Sequence, residues 1–142
     1  MPSRILKMAA AFAGLYGLHG TAMANDWQSA TDLEHAALDG KDIHVALDLS
    51  RCVEHDSGKP GPDVRGSLHP DELMVQKDHT IAFAMTHFTV RPDETPVDEL
   101  ASFRVQPDGK VTVRNTFLNA ATYAVLHQAE FDCEIGKGVT FN

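Results

Sequence analysis

The clearest pattern in the chain lies near its end, where Phe131, Cys133 and Ile135 alternate with Glu130, Asp132 and Glu134. A period of two marks a strand with one face buried and one in water. The same parity runs back through Tyr123, Val125, His127 and Ala129, which predicts one long or bulged strand over residues 123–135. Gly136-Lys137-Gly138 then turns the chain, and Val139 and Phe141 make a last short strand. Upstream, Pro107-Asp108-Gly109 suits a type I turn followed by glycine in the left-handed region. That turn sets Val105 opposite Val111 and Phe103 opposite Val113, with Arg104 facing Thr112 on the outside. Another hairpin is expected from residues 71–76 and 80–90 about the polar turn Lys77-Asp78-His79. Its second strand places Ile81, Phe83, Met85 and His87 on one face, read as interior.

Nearer the N-terminus, Ile43, Val45, Leu47 and Leu49 alternate with His44, Ala46, Asp48 and Ser50, a half-buried strand leading into Cys52. Residues 53–70 read as a loop, punctuated by Gly58, Pro60, Gly61, Pro62, Gly66 and Pro70. Before Gly40 the period is that of a helix. Thr31-Asp32-Leu33-Glu34 has the form of a capping box with Thr31 as N-cap, Leu33, Ala36 and Ala37 share a face, and Gly40 sits at the stop. Trp27 is placed to pack onto the same core. The sum is a β-rich (α+β) domain of one helix and about seven antiparallel strands, arranged as a sandwich or an open barrel.

The first residues belong to a different pattern. Arg4 and Lys7 precede an apolar run from Met8 to Leu18, and Ala22-Met23-Ala24 offers small side chains before Asn25. This is the layout of a secretory signal peptide, residues 1–24, with 25–142 as one mature domain exported to the periplasm or beyond. The run is too short for a membrane span, which needs about 20 apolar residues. Of 12 basic and 20 acidic residues, two of the basic ones fall in the leader, so the mature chain would carry a formal −10. Such a charge argues against nucleic acid and against membrane association after cleavage, leaving an unknown protein or small molecule as partner. In an exported chain Cys52 and Cys133 are expected to pair, although two buried thiols or a metal pair are the alternatives. Closing a loop of roughly 80 residues would constrain the unfolded chain by about 4.5 kcal/mol.

With these landmarks in place, the chain resembles the VirK family of small exported bacterial proteins. The resemblance rests on Ala37-Leu38 with Gly40, Asp48-Leu49-Ser50 with Cys52, and His87-Phe88-Thr89-Val90. It continues through Phe103-Arg104-Val105 before Asp108-Gly109, and Phe131 and Cys133 before Gly136. The family takes its name from virulence regions of plant-associated bacteria, and the resemblance implies no activity and no catalytic residues.

Histidine supplies most of the remaining chemistry. Seven imidazoles follow the leader: His35, His44, His55, His69, His79, His87 and His127. His87 and His127, both assigned to interior faces, are the candidate zinc ligands, set against the commoner role of a buried neutral imidazole bonded to backbone. His44 and Asp48 stand too far apart along one strand, about 13 Å, to act as an acid–base pair, and Ser50 lacks a nucleophile motif. The carboxylate pairs Asp71/Glu72, Asp93/Glu94 and Asp98/Glu99 read as solubilising charge in loops and strand starts, and Arg104 and Arg114 as anion holders or salt-bridge partners. Three classes of function remain: a non-catalytic exported binding or interaction module of host- or virulence-associated role; a β protein binding a metal or small ligand; and a hydrolase with an unrecognised site. The first is favoured because no catalytic motif is present.

Overall fold

The structure, a computed structural model, describes residues 26–142; the expected leader, residues 1–24, lies outside them. One helix, α1 (Ala30–Leu38), is followed by β1 (Val45–Asp48), a 3-10 turn (Leu49–Arg51), β2 (Val53–Glu54) and β3 (Arg65–Leu68). Then come β4 (Met74–Val75), β5 (Ile81–Val90), β6 (Pro96–Val105), β7 (Lys110–Asn119), β8 (Val125–Ile135) and β9 (Gly138–Phe141). The nine strands among the described residues join one sheet in the order β3-β1-β9-β8-β7-β6-β5-β4, with β2 laid against β8. The sheet curls into an open half-barrel, so the architecture is the barrel alternative. Every pairing is antiparallel except β8 with β9, where the chain doubles back through Gly136.

Strands β5 to β8 form a meander whose first two connections use the same device. In the β5–β6 and β6–β7 turns an aspartate (Asp93, Asp108) accepts a hydrogen bond from the backbone N–H two residues on, and the residue between (Glu94, Gly109) takes positive φ. The β4–β5 turn repeats it with Asp78 and His79. A short carboxylate closes the turn locally, and the left-handed residue matches the twist of the strands. The 105–111 hairpin has the expected register, with Val105 opposite Val111, Phe103 opposite Val113 and Arg104 opposite Thr112.

The core lies on the concave face. Phe83 stacks on Phe103 with ring centroids 4.6 Å apart and meets Phe141 edge-on at 6.3 Å, and Ala30, Leu33 and Ala36 of α1 cover them together with Ile43 and Val45. Trp27 packs against this cluster and its N–H donates to the Phe141 carbonyl. The Cys52–Cys133 disulfide ties the exit of the 3-10 turn to β8 inside the same core. Gly138 lies against it at φ 92°, and a Cβ there would run into Cys52 Sγ.

Several local expectations are corrected. The helix begins earlier than Thr31. Ser29 is the N-cap, accepting from Asp32 N–H at 3.1 Å, because this start puts Ala30, Leu33 and Ala36 together on the buried face. Glu34 turns instead to His79. The first strand stops at Asp48, whose carboxylate caps the 3-10 turn by accepting from the N–H and hydroxyl of Ser50. The span 53–70 is not all loop: β2 and β3 lie within it, and β3 pairs along the whole of β1. Only Met74 and Val75 of the 71–76 segment form strand. The last long strand begins at Val125 and has one extra residue opposite Phe117/Leu118, a bulge at Leu126 that reverses the parity of what precedes it.

Candidate functional site

Strands β5, β6 and β7 are ten residues each and outrun the helix-covered core. Beyond Phe83 and Phe103 their concave face therefore has no helix above it among the described residues. The opposite wall is the β1–β3 ladder. Between the two lies a cavity of about 440 Å³, within the range typical of small-molecule sites. Leu47, Leu49 and Val64 form one side, and Met85, Ala101 and Val113 the other.

A polar row closes the far end of this apolar space. The register of β5 and β6 sets His87 opposite Glu99, with Nε2 3.2 Å from the carboxylate. Asn115 on β7 lies one row nearer the core and donates its Nδ2–H to the other carboxylate oxygen of Glu99. This fixes the amide: a carboxylate repels the oxygen end and accepts from the nitrogen end. Asn115 Oδ1 consequently points away from Glu99, is buried, and has no hydrogen-bond partner among the described residues. A buried carbonyl without a donor costs about 1–3 kcal/mol, so this atom is a built demand for a hydrogen-bond donor.

Sequence reasoning named the components unevenly. His87 does belong to the concave face, but 61% of its side chain is exposed because the core has ended before it. His127 is exposed as well, beside Phe117 at 6.2 Å between ring centroids. Both were expected inside. They share one row of the sheet, yet Glu99 and Phe117 stand between them, about three strand spacings of 4.8 Å each, so they do not meet at one metal. By sequence Glu99 is half of a solubilising pair; in the structure it is in the middle of β6, where Asp98 faces the other way. The signal was available: Val97, Glu99, Ala101, Phe103 and Val105 form one alternating set, which puts a carboxylate on an apolar face.

The other sequence candidates are occupied elsewhere. Asp48 holds the 3-10 turn and meets Arg65 at 3.4 Å; its carboxyl lies below the ordinary range because Ser50 donates to it. Arg114 donates through Nε and a terminal nitrogen to one oxygen of Glu130, a salt bridge across β7 and β8 rather than an anion site. Ser67, which the sequence does not single out, borders the cavity, but it pairs with Ala46 on the opposite parity from Leu68 and Leu47, so the pleat turns its hydroxyl to the outer face. No nucleophile–base pair is therefore assembled by His87 and Ser67.

Comparison with known proteins places the chain. The family described as VirK protein matches residues 26–123. A protein of Sinorhizobium fredii, the uncharacterised y4wH, is 32% identical over 114 residues, 80% of this chain and 79% of its own. An uncharacterised protein from the pinF2 3′ region of Rhizobium radiobacter is 28% identical over 112 residues, 78% of this chain and 77% of its own. The crystal structure of lpg1832, a VirK family protein from Legionella pneumophila, superposes with a TM-score of 0.76 at 24% identity, covering 84% of this chain and 99% of that one. That likeness is one of fold. The chain belongs to the VirK family.

Proposed function

We propose that this protein is a non-catalytic binding module, acting outside the cytoplasm, that holds a small, largely apolar molecule in the open half-barrel. The molecule would present one hydrogen-bond donor, a hydroxyl or an N–H, to Asn115 Oδ1. The observation that carries this reading is the pairing of an apolar cavity with a buried acceptor that has no partner among the described residues. His87 and Glu99 orient the amide and guard the polar end; Ser67, turned outward, takes no part.

N-phenyl-1-naphthylamine, a neutral apolar fluorophore with one N–H, tests it. Its emission should rise saturably with one site per chain. Asn115→Leu should weaken binding about tenfold, the worth of one buried hydrogen bond, while changing stability by less than about 1 kcal/mol. Ala101→Trp should fill the cavity and abolish binding. Saturable binding undiminished in a folded Ala101→Trp variant would put the dye on exposed residues of the outer face, such as Phe88 and Val125, and end the proposal. Export is checked by intact mass: material recovered outside the cytoplasm should begin at Asn25, and retention of residues 1–24 in the cell would remove that part of the reading.

A further inference from the structure

The outer face of the β1–β3 ladder carries a second group of side chains unconnected with the cavity. Val45 pairs with Leu68, so the next row of that ladder sets His44 against His69. Their rings stack with centroids 4.5 Å apart and planes 16° from parallel. Asp42, two residues before His44, falls on the same side. Its carboxylate oxygens lie 2.6 Å from His69 Nε2 and 3.5 Å from His44 Nε2. One donor atom from each residue lies within 4.8 Å of the other two.

We infer that Asp42, His44 and His69 form a binding site for a divalent transition cation of the zinc or copper(II) type. Two imidazole nitrogens and one carboxylate oxygen suit such borderline ions and discriminate against magnesium and calcium, which prefer all-oxygen sets. The backbone beneath the site is held. Ile43 and Val45 are buried in the core between and beyond the two β1-side ligands, and Pro70 is buried directly after His69. The His44 backbone is also bonded in both directions to Asn142. The three side chains themselves are open to solvent, so an ion has a path in and a vacant coordination position for water. His69 Nε2 and Asp42 Oδ1 are within hydrogen-bonding distance of each other, at 2.6 Å. Coordination would replace that hydrogen bond with bonds to the cation, the neutral His69 ring carrying its one proton on Nδ1 with no net release, and side-chain rotation would draw the donors in to about 2.0–2.2 Å from the metal.

The site spans 27 residues of sequence between Asp42 and His69 and would clip the edge strand β3 to the body of the sheet. Because β3 also walls the cavity on its inner face, the cation would secure that wall without touching the ligand. The two sites are separate, and failure of one leaves the other standing.

Zinc chloride is titrated by calorimetry into the protein purified without a polyhistidine tag and freed of metal. One Zn²⁺ per chain should bind, with a rise in melting temperature. His44→Ala and His69→Ala should each weaken binding at least about tenfold, whereas His127→Ala, an exposed imidazole elsewhere, should leave it unchanged. A measurement on the unaltered protein guards against misfolded variants: zinc should protect His44 and His69, but not His127, from carbethoxylation by diethyl pyrocarbonate, read by peptide mass spectrometry. No saturable binding at micromolar concentrations, an isotherm unchanged in the His44→Ala/His69→Ala protein, or carbethoxylation insensitive to zinc would each overturn the assignment.

Discussion

Gly138→Ala is the most searching single change, because two separate physical effects meet at that residue. Its φ of 92° is one that side chains other than hydrogen rarely adopt, and the cost of left-handed backbone for an L-residue is about 1–2 kcal/mol. In addition, the new Cβ would overlap Cys52 Sγ, with Asp48 O 3.4 Å and Cys133 Cβ 3.5 Å away and no slack on those sides. Overpacking of this kind costs about 1–3 kcal/mol. The sum, about 2–5 kcal/mol, is a large part of the 5–15 kcal/mol typical of a domain. Urea unfolding of four proteins separates the terms: wild type, Gly138→Ala, Cys52→Ala/Cys133→Ala, and the triple variant. Removing the disulfide itself should cost up to about 4.5 kcal/mol for a sequence separation of 81, so sulfate is added to all four to keep them folded. Without the sulfur only the backbone strain remains, and the penalty of Gly138→Ala should fall to about 1–2 kcal/mol, a coupling of about 1–3 kcal/mol. Equal penalties with and without the cysteines would refute the claim that the sulfur is the obstacle. A neutral Gly138→Ala would refute both terms.

Two further outcomes are expected. Ser29→Ala should destabilise the protein by about 1 kcal/mol in the same unfolding assay and Thr31→Ala by less than about 0.5 kcal/mol, since Ser29 and not Thr31 receives the Asp32 N–H; the reverse order would restore the later helix start. His55 and His79 are held above the ordinary 6.5, each chiefly by a hydrogen bond to a carboxylate, Asp132 and Glu34 respectively. Groups raised in the folded state stabilise it fully below 6.5 and cease to do so as pH climbs through their folded values, so the melting temperature should decline as pH rises from about 6 to 8 at low salt. Proton NMR should give both rings midpoints above 6.5, and midpoints at or below it would show that the ion pairs do not persist in solution.

What could be read from the chain alone was whatever is decided within a few residues. The hairpin at Pro107-Asp108-Gly109 was legible to the residue because turn chemistry and apolar alternation are both local and agreed. The disulfide was legible from cysteine count and the expected export, and Trp27 and Leu33 from their position beside a short amphipathic helix. Alternation, however, tells which face a side chain takes and not how far along that face the core extends. His87 therefore has the right parity but stands past the last aromatic of the core, in water beside Glu99. His127 lies next to a bulge that no local pattern announces. The strand Arg65–Leu68 is four residues among prolines and glycines, too short to show a period, and it exists because the β1 edge offers it hydrogen-bonding partners. Both sites follow from pairings of that kind. Asn115 meets Glu99 across two strands, and His69 meets Asp42 and His44 only once β3 lies against β1. Contacts between residues distant in sequence are set by which strands are neighbours and in what register, and that is a property of the assembled sheet rather than of any segment in it.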